Sequence, residues 1–146
     1  MRRSSTCPVV RTDGSLRGLR GHVRAQLRAW RQEALADDAE IVVGELVTNA
    51  LRHGRPPVRV ALSLRHQPGV RNTVRIEVSD AGAAFDVRLV RARWRHPSFT
   101  ASESGRGLLM VDALTCGWGD HDNYHGHTVW AELVCEGKVA RVPAVR

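Results

Sequence analysis

This chain of 146 residues has no long hydrophobic run, no apolar segment directly after its first arginines and no CxxC cysteine pair. No apolar run reaches the roughly 18 residues that mark a membrane-spanning helix, so none is expected. Arg2 and Arg3 near the start are not followed by an apolar segment, which argues against a signal peptide. The cysteines (Cys7, Cys116 and Cys135) are odd in number and lack CxxC spacing. This disfavours a disulfide framework or a zinc site and predicts a cytoplasmic location.

Lysine and aromatic residues are also scarce. Lys138 is the only lysine among 22 basic residues, and aromatic residues make up 5 % of the chain. The formal net charge of +7 favours polyanions, acidic partners or nucleotide phosphates. However, the arginines are spread along the chain, and no aromatic-interleaved or groove-reading motif accompanies them. Nucleic-acid binding is therefore disfavoured, although it stays open as an alternative.

The length fits one domain with a buried core. Residues 1–15 are expected to be a tail, or a short edge strand near Pro8 to Arg11, and residues 137–146 a second tail. Apolar residues at spacings of three and four predict a helix from Leu16 to Leu35. The main domain is expected to cover residues 16–136.

A second helix is predicted to run from about Asp38 to His53. Asp37 and Asp38 supply N-cap chemistry at its start, and Gly54 is interpreted as the C′ glycine that ends it. The apolar residues of this segment form a core-facing stripe at helical spacing.

Alternating strands and one long loop follow the two helices. Strict alternation predicts an antiparallel hairpin of Val58 to Arg65 and Thr73 to Ser79, with one buried face. The segment from Ala81 to Arg106 has no sustained period, which is typical of a functional or disordered loop. A short helix from about Gly107 to Leu114 and a last strand from Thr128 to Cys135 complete the chain. The class is therefore α+β, with one sheet and helices on one face.

The string GELVTNALRHG, residues 44–54, places Glu45 and Asn49 four residues apart on one helix face. The plainer interpretation is a face exposed to solvent. The functional one is an oxygen-donor pair, in which Asn offers a neutral oxygen to Mg²⁺ and a carboxylate takes a proton.

The string VSDAG, residues 78–82, carries a second candidate. Asp80 continues the inward phase of Val78, so alternation aims its carboxylate toward the covered side of the sheet. A turn Asp that ends a strand is the plainer interpretation. Alternatively, a ligand supplies the hydrogen-bond donor that the Asp80 carboxylate needs. An adenine amino group is suited to this, and Gly82 would let the backbone come close to the ligand.

The string SGRGLLMVDAL, residues 104–114, opens a helix with Gly105, Arg106 and Gly107. Free N–H groups at such a helix start can cradle phosphate, although a flexible loop end is the plainer interpretation. The string is neither a Walker loop nor a dinucleotide fingerprint. Further along, GHTVWAEL carries Thr128 on the last strand, where alternation alone does not say which face points to a site.

Together and in this order, these four motifs resemble those of the GHKL ATPase superfamily. The strings ELVTNALRHG, SGRGLLMVDAL, WGD and GHTVWAEL look more specifically like those of actinobacterial anti-sigma-factor serine/threonine kinases. The resemblance implies a two-layer Bergerat-type sandwich with a mixed, mostly antiparallel sheet and helices on one face. It also implies a mobile ATP lid at about residues 83–104.

The resemblance assigns roles by position. It makes Glu45 the general base and Asn49 the Mg²⁺ ligand, and Asp80 becomes the carboxylate that recognises adenine. The other positions that match nucleotide-binding residues are Gly82, Gly105, Arg106, Gly107, Leu108 and Thr128. His127 departs from the pattern, because relatives often carry Lys immediately before this Thr.

The implied function is an ATP- and Mg²⁺-dependent protein serine/threonine kinase in the cytoplasm. Its substrate would be an anti-sigma-factor antagonist, and the resemblance also allows for a sigma factor as a partner and for a homodimer. Two alternatives stay open at this point. One is an ATP-binding, partner-docking module with little catalysis, and the other is a basic nucleic-acid-binding domain.

Overall fold

A computed structural model of the chain describes residues 2–9, 13–65, 71–82, 106–123 and 126–134. In chain order these residues form β1 (Arg2–Val9), α1 (Asp13–Ala29), a 3-10 turn (Glu33–Leu35), α2 (Ala36–His53), β2 (Val58–Arg65), β3 (Thr73–Asp80), α3 (Arg106–Leu114), β4 (Gly117–Asn123) and β5 (Gly126–Val134). The segment predicted to form the lid lies outside the described residues. Within them, no helix has the length and apolarity needed to cross a membrane.

The strands form one five-stranded sheet in the order β1-β2-β3-β5-β4. Every neighbouring pair in this sheet is antiparallel. The helix α2 contacts β2, β3 and β5, while α1 and α3 pack on α2 from its two sides. The helices thus cover one face of the sheet, and the predicted α+β sandwich is confirmed.

The hairpin of β2 and β3 is confirmed as the alternation predicts it. Residues on its buried face pair across the strands, with Val60 opposite Val78 and Leu62 opposite Ile76. These side chains are at most 3 % exposed, and they pack under the apolar face of α2. Burial of β-branched and Leu side chains on this scale is the main force that holds helix and sheet together.

The first helix is shorter than predicted. α1 ends at Ala29, where Gln32 N–H donates to Leu27 O and Arg31 N–H donates to Arg28 O. This is a Schellman ending, and Arg31 occupies its left-handed position with φ of 59°. The apolar spacing extends to Leu35 because a 3-10 turn follows the helix and Leu35 packs against the core.

The second helix ends at His53, as predicted, but it begins two residues before Asp38, and both of its caps differ from the prediction. α2 begins at Ala36, its N-cap residue is Leu35, and no side chain caps it. Asp37 and Asp38 lie in the first turn, where carboxylates interact favourably with the helix dipole. Gly54 is extended, with φ of −97° and ψ of −162°, and is therefore not a left-handed C′ glycine. Its role is set by packing against the sheet, as described below.

The sheet contains more strand than the sequence predicts. Residues 2–9 form an eight-residue edge strand that begins well before Pro8. Residues 117–123 form β4, and β5 begins at Gly126 instead of Thr128. β4 was missed because GWGDHDN shows no apolar alternation. Instead, the indole of Trp130 on β5 covers Gly119 and takes the place of a side chain there.

We expect Arg31→Gly to raise the free energy of unfolding by about 0.5 to 1 kcal/mol, because glycine adopts a left-handed backbone without the steric cost that an L-residue incurs. Arg28→Gly is the matched control, since the same change inside the last helical turn should lower stability by about 1 kcal/mol. Urea denaturation of both variants measures the difference. A loss of stability in Arg31→Gly would contradict this account of the helix end.

Candidate functional site

The two helices α2 and α3 bring Glu45 to the start of α3. Glu45 is half-buried on α2, and Gly107 lies in the first turn of α3. A Cβ added to Gly107 would overlap Glu45 Oε2 and lie 3.2 Å from Glu45 Cδ. Only glycine therefore allows this approach, which places a carboxylate beside the free N–H groups of a helix start.

Asn49 lies one helical turn after Glu45 on the same helix, where it is also half-buried. Its Nδ2 atom is buried and has no hydrogen-bond partner among the residues that the structure describes. A buried polar group without a partner costs roughly 1 to 3 kcal/mol, so native proteins seldom retain one without a reason. A bound ligand that offers an acceptor atom would supply the missing partner.

The carboxylate of Asp80 ends β3 on the helix-facing side of the sheet, as the alternation predicts. The residue is 9 % exposed. Its Oδ1 accepts the N–H of Gly82 at 2.6 Å and the N–H of Arg55 at 3.3 Å. These two amides fix the carboxylate, and Oδ2 has no hydrogen-bond partner among the described residues. Oδ2 is thus the acceptor that Asp80 can offer to a ligand.

Two glycines make room for this carboxylate. A Cβ on Gly54 would stand 2.6 Å from Asp80 Oδ2, and a Cβ on Gly82 would stand 2.8 Å from Asp80 Oδ1. Both separations are shorter than real Cβ contacts. Gly54 thus ends α2 as its C-cap residue, and it also serves the site by letting the end of the helix approach Asp80.

Thr128 lies on the other side of the sheet from Asp80. Its Oγ1 is 2.8 Å from Ser79 Oγ, and Thr128 and Ser79 are register partners on β5 and β3. The partner of Asp80 in this register is His127. Because neighbouring residues of a strand point to opposite faces, the structure does not bring the Thr128 hydroxyl to the Asp80 carboxylate.

His127 therefore lies on the site-facing side of β5. It is 2 % exposed, and its Nε2 is 2.8 Å from Asp120 Oδ2 on β4. Sequence reasoning gave Asp120 no role. The signal that could have found this pair is the phase of His127 with Val129 and Ala131, the buried residues of the same strand.

The remaining predicted residues lie at the start of α3. Gly105 lies outside the described residues, and Arg106 is the first residue of the helix. Leu108 is 5 % exposed and belongs to the hydrophobic core, so its side chain anchors the helix start to the core. Within the described ranges, no group of three or more His, Cys, Asp or Glu side chains could hold a metal ion.

A family model of the histidine kinase-like ATPase domain matches residues 10–131, which is most of the chain. The chain belongs to this family. The histidine kinase-like ATPase domain binds ATP, so the clustered residues around α2, α3 and β3 are the candidate ATP site. The predicted GHKL-type superfamily is thereby confirmed, whereas the closer resemblance to anti-sigma-factor kinases stays a prediction.

The residues of this histidine kinase-like ATPase domain fit ATP and Mg²⁺ chemically. Asp80 Oδ2 suits the amino group of adenine, which is a hydrogen-bond donor. The first turn of α3 suits phosphate, because its N–H groups and the helix dipole attract anions. Asn49 has an amide nitrogen without a partner and an amide oxygen of the kind that binds Mg²⁺.

We expect Gly54→Ala to lower ATP affinity at least about tenfold, because its Cβ would push the Asp80 carboxylate out of position and weaken a charged hydrogen bond. The backbone angles of Gly54 suit alanine, so the effect should come from the carboxylate. Gly18→Ala is the matched control. Gly18 is exposed on α1 with open space around it, so this change should leave affinity unaltered and stabilise the helix. Fluorescence titration with labelled ATP measures both, and equal affinities would rule out the proposed role of Gly54.

Proposed function

We propose that the protein is an ATP- and Mg²⁺-dependent protein serine/threonine kinase that phosphorylates an anti-sigma-factor antagonist and thereby regulates transcription. The observation that carries the proposal is the contact between Glu45 and Gly107, which holds a carboxylate at the start of α3. A carboxylate beside a phosphate-binding helix start is well placed to act on a hydroxyl that attacks the terminal phosphate.

In this proposal Glu45 orients the acceptor hydroxyl and takes its proton. The hydroxyl oxygen bonds to the γ-phosphorus as the bond from that phosphorus to the β,γ-bridging oxygen breaks, and ADP leaves with the electron pair. The positive end of α3 and its free N–H groups stabilise the charge that develops on the phosphate oxygens. Glu45 is half-buried, which is compatible with access by a protein hydroxyl.

Asn49 would hold Mg²⁺ through its amide oxygen, while its buried nitrogen would find a phosphate acceptor. Bound Mg²⁺ supplies charge neutralisation at the phosphates. Asp80 fixes the other end of the nucleotide by accepting from the adenine amino group, and the amides of Gly82 and Arg55 keep its carboxylate in place. Adenine recognition is thus assigned to the end of β3, and phosphoryl transfer is assigned to α2 and the start of α3.

The partners follow from the same proposal. An anti-sigma-factor antagonist would present the acceptor hydroxyl in the cytoplasm, and a sigma factor could be held by the same domain. A homodimer is included in the proposal because the resemblance allows for one. Each of these partners is a separate expectation that binding experiments can test one at a time.

One observation favours a second candidate function, an ATP-binding docking module with little catalysis. His127 stands where relatives often carry Lys, and in this chain its ring is buried and bonded to Asp120. A buried imidazole held by a carboxylate does not provide the extended ammonium group that binds phosphate as a point charge. Among the residues that the structure describes, phosphate binding would then depend on α3 and Asn49.

Transfer of label from γ-labelled ATP to purified anti-sigma-factor antagonists tests the proposal. We expect Mg²⁺-dependent labelling of a serine or threonine, identified by phosphoamino-acid analysis. Tight ATP binding without transfer to any of these partners would remove the kinase and leave the docking module. Absence of ATP binding would remove both.

A further inference from the structure

Arginines follow one face of α1 at spacings of three and four residues. We call this set the arginine stripe, and it consists of Arg17, Arg20, Arg24 and Arg28 on the helix and Arg31 at its end. Residues three and four apart are neighbours on a helix surface, so the charges form a continuous row. From the first to the last residue the row spans roughly 20 Å at 1.5 Å per residue.

Among the described residues, acidic side chains neutralise only the central member of the stripe. Arg24 pairs with Asp37 at 2.7 Å and with Glu40, both on α2. The hydrogen bond to Glu40, followed by that to Asp37, raises the pKa of Arg24. The other four arginines are exposed and have no ion pair within the described part of the chain. Four unpaired positive charges thus remain on this surface.

Apart from the ion pairs of Arg24 with α2, the spacing of the stripe's charges does not favour the stability of the helix. Arg20, Arg24 and Arg28 are like charges at a spacing of four residues, which destabilises a helix. Arg31 occupies a left-handed position with φ of 59°, where glycine is the favoured residue. Charges kept at a cost to stability point to a role outside the folded chain, and binding is the role that a row of exposed guanidinium groups supports.

We propose that the arginine stripe docks an acidic surface of a partner protein. The side chain of Asp37 is 89 % exposed beside the stripe, and Glu40 lies next to it on the same helix. These carboxylates repel a continuous phosphate backbone, whereas a protein surface can match them with a basic residue. Charge complementarity therefore favours an acidic protein over a nucleic acid.

The stripe lies one helix away from the candidate ATP site. The Arg20 guanidinium covers Gly44, since a Cβ there would stand 2.9 Å from Arg20 Nη2. Gly44 directly precedes Glu45 in the sequence. A partner docked on the stripe is thus held close to the site, but docking itself needs neither ATP nor Glu45. The inference therefore stands or falls separately from the kinase activity.

Poly-L-glutamate serves as the acidic probe. A titration monitors backbone amide chemical shifts and affinity at about 50 and about 200 mM NaCl, because the higher salt concentration screens exposed charges more strongly. We expect the shifts to concentrate on residues 17–31. The double variant R17Q/R28Q should weaken binding about tenfold, since it removes two exposed ion pairs with the probe. The control R59Q/R65Q removes the same charge from exposed positions of β2 and should change affinity less than about twofold.

Three outcomes would overturn the proposal. The first is equal weakening in both double variants, which would show a response to net charge only. The second is no binding at the lower salt concentration. The third is that a DNA duplex of about 20 base pairs, roughly two helical turns, binds more tightly than poly-L-glutamate through the same residues at equal salt. That result would make the stripe a nucleic-acid surface. R17K/R28K keeps the charge and should restore binding, while urea denaturation verifies that every variant is folded.

Discussion

Asn49→Ala is expected to lower the affinity for Mg-ATP at least about 100-fold while the free energy of unfolding stays the same or rises slightly. The affinity falls because the substitution removes the only proposed protein ligand to Mg²⁺, and even supporting residues of metal sites contribute about 10- to 100-fold. Stability does not fall, because Asn49 Nδ2 is buried without a partner and its removal relieves a desolvation cost. Alanine also favours the helix.

Calorimetric titration with Mg-ATP and urea denaturation measure these two quantities on the same protein. Thr48→Ala is the matched control, since Thr48 is the exposed neighbour on the same helix and should alter neither quantity greatly. A loss of more than about 1 kcal/mol in the stability of Asn49→Ala would mean that Asn49 supports the fold. Affinity equal to that of the wild type would mean that it binds no metal.

Glu45→Gln is expected to lower the rate of phosphoryl transfer about 100- to 10,000-fold, the range that a positioned general base contributes. ATP affinity should change little, because glutamine keeps the size of the side chain that fits against Gly107. It removes the negative charge and the ability to take a proton. The expected result is therefore a separation of binding from catalysis at a single residue.

Single-turnover transfer to the acceptor protein, together with an ATP titration, measures this separation. Glu40→Gln is the control, because it also removes a carboxylate from α2. The Glu40 carboxylate pairs with Arg24 and lies away from the site. Transfer by Glu45→Gln at the wild-type rate would exclude Glu45 as the base. A parallel loss of ATP affinity would instead assign Glu45 to nucleotide binding.

The sequence predicts those parts of the fold that depend on local periodicity. The hairpin of β2 and β3, the buried face of α2 and the inward position of Asp80 all follow from the alternation or helical spacing of apolar residues. Periodicity is a local property, and these elements bury the faces that it marks. The spacing of four residues between Glu45 and Asn49 likewise predicts that both lie on one face of α2.

What the sequence does not predict depends on contacts between distant residues. Gly54 packs against Asp80, 26 positions later, and no local pattern indicates that approach. The strand β4 is defined by pairing with β5 and by Trp130 above its glycines, because its own residues show no apolar alternation. Likewise, the face on which Thr128 lies is settled by its register with Ser79.

Calorimetric titration of the wild-type protein with ATP in the presence of Mg²⁺ tests the central claim most directly. The account predicts saturable binding at one site per chain with a Kd between about 1 µM and 1 mM, the range typical of enzyme substrates. Removal of Mg²⁺ by chelation should weaken this binding at least about tenfold. The absence of saturable binding with Mg²⁺ present would contradict the assignment of Glu45, Asn49 and Asp80 to an ATP site.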